Sequence, residues 1–255
     1  MIRFASLGSG SRGNATLVEA GDACLLLDCG FSARELERRL ALLALDGTRL
    51  SGILVTHEHS DHVKGVWTLS RRHNLPVYMT GGTAKGSAAP SDIDLHLITP
   101  QQRFQVGGVD VLPVAVPHDA REPVQFVFQY AGLKLGVLTD LGHISSHVLE
   151  CYQGCDGLLV EANHDPDMLA DGPYPYTLKQ RVGGDWGHLN NAQTAGLLKA
   201  VEPRSLQALV VGHISQQNNA LAVVQDAMTS IAKVVPEILY ASQDDCVDWL
   251  ALESG

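Results

Sequence analysis

The sequence predicts an α/β fold in which two β-sheets pack face to face and carry helices on their outer faces. Several short apolar runs separated by turns come first, later runs alternate with helical segments, and this succession occurs twice along the chain. Many of the runs end in a histidine or a carboxylate. Because α/β proteins usually place their sites at the carboxyl ends of strands, the pattern that predicts the fold also predicts where a site lies.

The first third of the chain is expected to contain five strands and two helices. The strands are expected over residues 2–7, 15–19, 24–28, 53–55 and 76–79. Gly-Ser-Gly-Ser-Arg-Gly-Asn at residues 8–14 is typical of a turn between the first two strands. Ser32 is a suitable cap for a helix that continues to about residue 45, and a second helix is expected over residues 63–73.

The rest of the chain continues the alternation. Strands are expected over residues 109–116, 126–130, 134–139, 158–160, 206–211 and 238–241, the last of which is expected to complete the chain. Prolines and glycines between residues 171 and 186 predict an irregular loop. A helix that His188 opens is expected to continue to about residue 200, and a final helix is expected over residues 220–233.

Length and composition favour one globular domain that spans residues 1–255. The chain is 45% hydrophobic, which suffices for a sizeable core. Acidic residues outnumber basic ones by 28 to 18, for a net charge of −10. The overall charge therefore does not draw the protein to nucleic acid, and any polyanion must be bound locally.

The sequence shows neither a targeting pattern nor a membrane-spanning one. The first residues lack a basic segment followed by a long apolar one, and no stretch approaches the length of a bilayer span, so we expect a cytoplasmic protein without a membrane partner. The five cysteines form no Cys-x-x-Cys pair, which argues against a disulfide framework or a thiolate zinc site. Cys24 and Cys29 are expected to be packed thiols.

The densest group of metal-ligand side chains follows the apolar run at residues 53–55. It reads Thr-His-Glu-His-Ser-Asp-His over residues 56–62. If the segment stays roughly extended, His57 and His59 point the same way and can hold one ion, while Asp61 and His62, after a turn, can face a second. A surface loop that is merely rich in histidine is the alternative, and this order of ligand types after a buried strand argues against it.

Five further candidates lie at other predicted element ends. His118, Asp140, Glu161 and His213 each follow a predicted strand, and His188 opens a predicted helix. A lone histidine after a strand is usually structural. In a chain that already holds a metal-ligand cluster, however, several such residues favour a common site.

In chain order, the ligand candidates resemble the ligand series of the metallo-β-lactamase superfamily. They are His57, His59, Asp61, His62, His118, Asp140 and His213. The resemblance spans nearly the whole chain and implies an αββα four-layer sandwich with two metal ions in a cleft at one edge of the two sheets. It implies that His57, His59 and His118 hold one ion and that Asp61, His62 and His213 hold the other. Asp140 would bridge the two ions, and Asp28 would orient ligands from behind.

Within the superfamily, the branch that processes nucleic acids fits best. The antibiotic-hydrolysing enzymes lack the bridging aspartate, and glyoxalase II needs a C-terminal domain for which too few residues follow His213. Glu161, His188 and His213-Ile214-Ser215 are similar to ribonuclease Z, but the interval from His118 to Asp140 cannot hold that enzyme's long basic arm. A β-CASP capping domain does not fit before His213 either.

The remaining match is the uncapped YycJ-like (WalJ) family. The chain is similar to it at residues 8–14, 161–165, 174–181 and 187–191, although Arg12 stands where the family more often has serine. The resemblance implies a dinuclear phosphodiesterase, a 5′-to-3′ exonuclease of DNA repair, with DNA rather than RNA as substrate. The alternatives are a ribonuclease, a hydrolase of another ester or of a lactone, and a non-enzymatic metal-dependent sensor or scaffold.

The resemblance also implies roles for individual residues. Asp61 would take part in catalysis as well as in metal binding, and His188 would act as a general acid that Glu161 keeps protonated and oriented. The imidazole-rich ligand set favours zinc, with manganese as the alternative because carboxylates also suit it. The residues leave open whether the protein is a monomer or a homodimer.

Substrate contacts are expected in two segments that combine backbone donors, hydroxyls and cations. The expected residues are Ser9, Ser11, Arg12, Asn14, Lys179 and Arg181. An acidic protein must concentrate its few cations where phosphates lie, and Tyr174 or Tyr176 could stack on an unpaired base. The plain alternatives are a glycine-rich turn without a ligand and a solvated loop.

Overall fold

Two seven-stranded sheets form the centre of the computed structural model, which describes residues 1–254, without the side chain of Arg204. The first sheet contains β1 (Ile2–Gly8), β2 (Ala15–Ala20), β3 (Ala23–Leu27), β4 (Gly52–Leu54), β5 (Val77–Thr80), β6 (Leu95–Ile98) and β14 (Val247–Leu252). The second contains β7 (Phe104–Val106), β8 (Val109–Ala115), β9 (Val124–Tyr130), β10 (Leu133–Leu138), β11 (Gly157–Glu161), β12 (Ala208–Gly212) and β13 (Ile238–Tyr240).

The two sheets share one construction. In the first, β14, β1, β2 and β3 pair antiparallel in that order, and β4, β5 and β6 then add in parallel. In the second, β7 to β10 pair antiparallel, and β11, β12 and β13 add in parallel. The carboxyl ends of the parallel strands in each sheet share an edge, so residues that follow these strands lie close together.

Helices surround the two sheets. They are α1 (Ala33–Leu42), α2 (Ser60–Val63), α3 (Val66–His73), α4 (Gly81–Gly86), α5 (Ser146–Tyr152), α6 (Pro166–Asp171), α7 (Tyr176–Val182), α8 (Asn191–Ala200) and α9 (Leu221–Ala227). One apolar cluster, which includes Phe4 and Phe126, lies between the sheets. Two further clusters pack helices onto the two outer faces. The αββα four-layer sandwich is therefore confirmed.

Several element boundaries differ from the prediction for physical reasons. The helix expected over residues 63–73 begins only at Val66, because the chain turns at Gly65. A Cβ at Gly65 would lie 2.2 Å from the Phe31 carbonyl oxygen and 2.6 Å from the Cys29 sulfur, so this close approach requires glycine. The helix expected over residues 32–45 ends at Leu42, and the one expected over residues 220–233 ends at Ala227.

Two predictions about the second half were wrong. The irregular loop expected over residues 171–186 contains α7, a helix without a fully buried residue, so no apolar periodicity announced it. The chain was expected to end its regular structure with β13, but β14 follows and pairs antiparallel with β1. None of the helices in residues 1–254 combines the length and the apolar character needed to cross a bilayer.

Candidate metal centre

The seven predicted metal ligands converge on one cleft at the edge of the two sheets. His57 and His59 lie between β4 and α2, and Asp61 and His62 lie on α2. The other three follow strands of the second sheet: His118 follows β8, Asp140 follows β10 and His213 follows β12. The cleft has a volume of about 350 Å³. Sheet topology alone thus brings together residues that are up to 156 positions apart, from His57 to His213.

Three imidazoles form the first group of ligand atoms. His57 Nε2 lies 2.9 Å from His59 Nδ1, which lies 3.3 Å from His118 Nε2. Burial lowers the pKa of His57 and of His118, so both rings are neutral and offer a lone pair. The ligand atoms of the three residues all lie within 4.8 Å of one another. Converging lone pairs repel one another unless a cation lies between them, so the group fits a metal ion.

Asp140 connects this group to a second one. Its Oδ2 lies 3.4 Å from His62 Nε2, and its Oδ1 lies 3.2 Å from His213 Nδ1. His62 Nε2 also lies 3.6 Å from Asp61 Oδ2. Burial opposes ionisation of Asp140, but the neighbouring His213 and His62 hold the pKa of its carboxyl well below its usual range.

Two buried polar atoms of this second group have no hydrogen-bond partner among residues 1–254. They are Asp140 Oδ2 and His213 Nδ1. A buried polar atom without a partner costs about 1–3 kcal/mol, so unpaired atoms on adjacent ligand residues need a compensating interaction. A divalent cation supplies it, and the donor set of imidazoles and carboxylates suits such an ion.

The ring nitrogens that face away from the cleft are held in place. Asp28 Oδ2 lies 2.8 Å from His62 Nδ1, and the same carboxylate accepts hydrogen bonds from the Thr56 N–H at 2.8 Å and the Thr56 hydroxyl at 2.9 Å. The Gly187 carbonyl lies 3.0 Å from His118 Nδ1. Such partners fix the tautomer and orientation of metal-binding imidazoles. Asp28 therefore lies where the prediction places a residue that orients ligands from behind.

The buried Glu161 and the half-buried His188 form a pair beside these candidate ligands. Glu161 Oε2 lies 2.9 Å from His188 Nδ1, and Oε1 accepts hydrogen bonds from the N–H groups of Leu141 at 2.9 Å and Leu189 at 3.2 Å. The ring centroid of His188 lies 5.0 Å from that of His213. His188 does not open a helix as expected, because α8 begins at Asn191 behind the N-cap Asn190.

The chain is similar to known proteins along most of its length. The family model described as "Beta-lactamase superfamily domain" matches residues 24–214. The chain belongs to the metallo-β-lactamase superfamily. It is 33% identical to the exodeoxyribonuclease YycJ of Bacillus anthracis over 92% of this chain and 90% of that protein. It is 32% identical to the exodeoxyribonuclease WalJ of Streptococcus pneumoniae serotype 2 (strain D39 / NCTC 7466) over 86% of this chain and 83% of that protein.

A solved structure shares the superfamily fold along the whole chain. The metallo-β-lactamase fold protein YhfI from Bacillus subtilis superposes with a TM-score of 0.75 at 15% identity and covers 96% of this chain and 98% of its own. At this identity the likeness concerns the fold alone. The fold predicted from the sequence is therefore confirmed by sequence relatives and by structure.

The predicted substrate contacts of this superfamily member divide into three sets. Ser11 and Arg181 line the cleft, together with Tyr174. Arg12 instead pairs with Asp244 at 2.9 Å, and the Lys179 ammonium donates to the Ala170 carbonyl. Neither Arg12 nor Lys179 is among the cleft-lining residues of the described chain.

Ser9 and Asn14 contact metal-ligand residues rather than the open cleft. The Ser9 hydroxyl accepts a hydrogen bond from the His213 N–H at 2.8 Å. The Asn14 side-chain amide donates to Asp61 Oδ2 at 3.3 Å. Both residues are buried.

Sequence reasoning missed one charged residue of the cleft. Asp119 pairs with Arg181, and its Oδ1 lies 3.4 Å from His118 Nε2 and 3.8 Å from His59 Nε2. The pair with Arg181 holds the pKa of Asp119 below its usual value although burial opposes this. The position directly after His118 was the available signal, because a residue next to a ligand reaches the same cleft.

Proposed function

We propose that this chain is a dinuclear metal-dependent phosphodiesterase that degrades DNA as a 5′-to-3′ exonuclease in DNA repair. The observation that carries the proposal is the 33% identity to an exodeoxyribonuclease over 92% of this chain. The polarity and the role in repair rest on the resemblance of its motifs to the YycJ-like family. The proposal treats residues 1–255 as one domain, because β14 closes the first sheet against β1.

The proposed site holds two ions. His57, His59 and His118 would hold one ion, Asp61, His62 and His213 would hold the other, and Asp140 would contribute to both sets. Zinc fits the imidazole-rich donor set, and manganese is the alternative. When bound, the ions supply activation of the attacking water and neutralisation of charge on the phosphate.

The chain's own residues complete the reaction. In the hydrolysis of a phosphodiester, a new bond forms between phosphorus and the water oxygen, and the bond to the leaving alkoxide breaks. The alkoxide is strongly basic, so a proton donor opposite the attacking water accelerates the reaction. Glu161 accepts the Nδ1–H of His188, so the cationic form of the ring presents its second N–H, at Nε2, to the leaving oxygen. The proton passes to that oxygen, and the ring is left neutral.

Substrate binding is proposed to centre on the cleft-lining residues. Arg181 contacts a phosphate and Ser11 donates a hydrogen bond to one, since both residues line the cleft. Tyr174 also lines the cleft, and we propose that it stacks on an unpaired base there. Arg12 and Lys179 contribute from outside the cleft, and Ser9 and Asn14 act through the ligands that they contact.

The proposal is tested with metal-loaded protein and end-labelled single- and double-stranded DNA and RNA. We expect DNA to be shortened from its 5′ end, this activity to be lost in His59→Ala, and a matched variant, His96→Ala, to retain it. His96 is an exposed histidine on β6 that does not line the cleft. Turnover of RNA alone, or of an ester or lactone alone, would replace the proposal with the corresponding hydrolase. Metal-loaded protein without any turnover would favour a sensor or scaffold.

A further inference from the structure

The turn at residues 8–14, here called the glycine turn, contacts the second group of ligands. Ser9 accepts from the His213 N–H at 2.8 Å. Asn14 lies 3.2 Å from His62 Nε2 through its side-chain amide, and its backbone N–H donates to the Asp61 carbonyl at 2.8 Å. Among the hydrogen bonds of residues 1–254, none joins the glycine turn to the imidazoles of the first group. The glycine turn therefore contacts residues of the second group of ligands and not the imidazoles of the first.

Gln243 holds the glycine turn through residues other than Ser9 and Asn14, which contact the ligands. It lies between β13 and β14 and is only 6% exposed. Its Oε1 accepts from the Arg12 N–H at 2.7 Å, and its Nε2 donates to the Gly13 carbonyl at 2.9 Å. A Cβ at Gly10 would lie 2.8 Å from Gln243 Oε1, so the glutamine side chain packs directly against the turn. One side chain therefore fixes two peptide groups of the turn, the one before Arg12 and the one after Gly13.

Arg39 of α1 in turn fixes the backbone of Gln243. Its guanidinium donates to the Gln243 carbonyl at 3.2 Å and to the Leu7 carbonyl at 2.5 Å. It also lies 4.1 Å above the centre of the Phe31 ring, and the residue is 5% exposed. A buried guanidinium with several partners is rigid, so Gln243 has little freedom to move away from the turn.

We propose that Gln243 is a positioning residue that sets the affinity of the second ion through the glycine turn. This inference rests on the proposed function's assignment of that ion to Asp61, His62 and His213. The His213 backbone adopts φ of +50°, an uncommon conformation for a residue other than glycine, and the bond from its N–H to Ser9 stabilises it. Without Gln243 the turn loses two of its supports, and the ligands that it contacts lose their common orientation.

The first ion is expected to be insensitive to this change. Its ligand His118 is held by the Gly187 carbonyl, and the ring of His57 is held by the Thr56 hydroxyl at 2.9 Å. These supports come from other parts of the chain than the glycine turn. A selective loss of one ion is therefore the signature of the proposed role, whereas a general structural role would affect both.

The experiment is a zinc titration of the chelator-stripped protein in competition with a chromophoric chelator, without DNA. Gln243→Ala is expected to weaken the binding of one of the two ions about tenfold or more and to leave the affinity for the other unchanged. Gln243→Glu keeps the acceptor for the Arg12 N–H but cannot donate to Gly13, so a smaller loss is expected. Gln207→Ala is the matched control. Gln207 makes the same type of two-bond bridge, to the carbonyl and N–H of Glu253 at 2.8 and 2.9 Å, and should leave both ions unchanged.

If Gln243→Ala weakens the binding of both ions equally, or of neither, the proposal is overturned. If Gln243→Ala does not fold, as judged by its melting temperature in chelator, the Gln243→Glu variant decides by the same criteria. Wild-type protein that binds two ions but leaves DNA intact contradicts the proposed function and not the role of Gln243. The two failures are therefore distinguishable.

Discussion

Replacement of His188 by alanine tests the proposed general acid most directly. The substitution leaves Glu161 Oε2 without its partner at 2.9 Å, whereas Oε1 keeps the N–H donors of Leu141 and Leu189. Loss of one hydrogen bond to a charged group costs about 1.5–3 kcal/mol. In a protein of this size such a loss lowers the melting temperature by about 3–12 °C, from 2–4 °C per kcal/mol. The variant is therefore expected to fold, and its kinetics can be interpreted.

The expected kinetic effect depends on the leaving group. On DNA, whose leaving alkoxide needs a proton, His188→Ala should reduce kcat about 10²–10⁴-fold. On bis-p-nitrophenyl phosphate, whose phenolate leaves without a proton, the loss should be much smaller. Metal content, measured by elemental analysis on the same sample, should stay at the wild-type value.

The main alternative role of His188 is that of a metal ligand. Ligand atoms of Asp140, His188 and His213 all lie within 4.8 Å of one another, so His188 could bind a metal ion. Equal losses on the two substrates, or a reduced metal content, would show that His188 is a ligand or a structural residue and would refute the general-acid role. Glu161→Gln is the companion variant, because it preserves the shape of the pair and replaces the acceptor of His188 Nδ1 by an amide.

The fold and the ligand candidates were predictable from the sequence because both follow from local patterns. Buried strands appear as short apolar runs, and the residue after each run lies at the carboxyl end of its strand. The apolar runs do not give strand direction, so it was the resemblance to the ligand series of the superfamily that placed His57, His118 and His213 in one cleft. The antiparallel hairpin at β9 and β10 was equally visible, because Ala131 and Gly132 mark its turn.

Features that depend on tertiary contacts were not predictable. Nothing local to Gln243 indicates that it bonds to Arg12 and Gly13, more than 200 positions earlier. Asp140 and His213 adopt φ of +54° and +50°, a conformation that a sequence ordinarily signals with glycine or asparagine. β14 was missed because its buried residues form neither a continuous apolar run nor a strict alternation, since Asp248 and Ala251 are exposed.

Further predictions concern the proposed bridging residue Asp140, the cleft residue Arg181 and the stability of α1. Asp140→Ala should lose at least one ion, measured by elemental analysis, together with activity. The reason is that the two carboxylate oxygens of Asp140 lie 3.4 Å from His62 Nε2 and 3.2 Å from His213 Nδ1. A variant that retains two ions and the full rate would contradict the two-metal site. Arg181→Ala should weaken DNA binding and lower the slope of the logarithm of the binding constant against the logarithm of the salt concentration by about 1. Lys179→Ala should have a smaller effect on both quantities. Equal effects of the two substitutions would exclude a specific role for Arg181. Glu35 accepts hydrogen bonds from Arg38 and Arg39, which lower its pKa from 4.5 to about 2. A pKa that is lower in the folded state gives stability that is fully present above pH 4.5 and is lost as the pH falls through about 2. Glu35→Gln should therefore reduce the free energy of unfolding in urea at pH 7 by about 0.5–1 kcal/mol, a value for partly exposed pairs, and the difference from wild type should narrow below pH 4.5. If the difference in the free energy of unfolding between Glu35→Gln and wild type widens toward acid pH, Glu35 does not stabilise the protein through its ion pairs with Arg38 and Arg39.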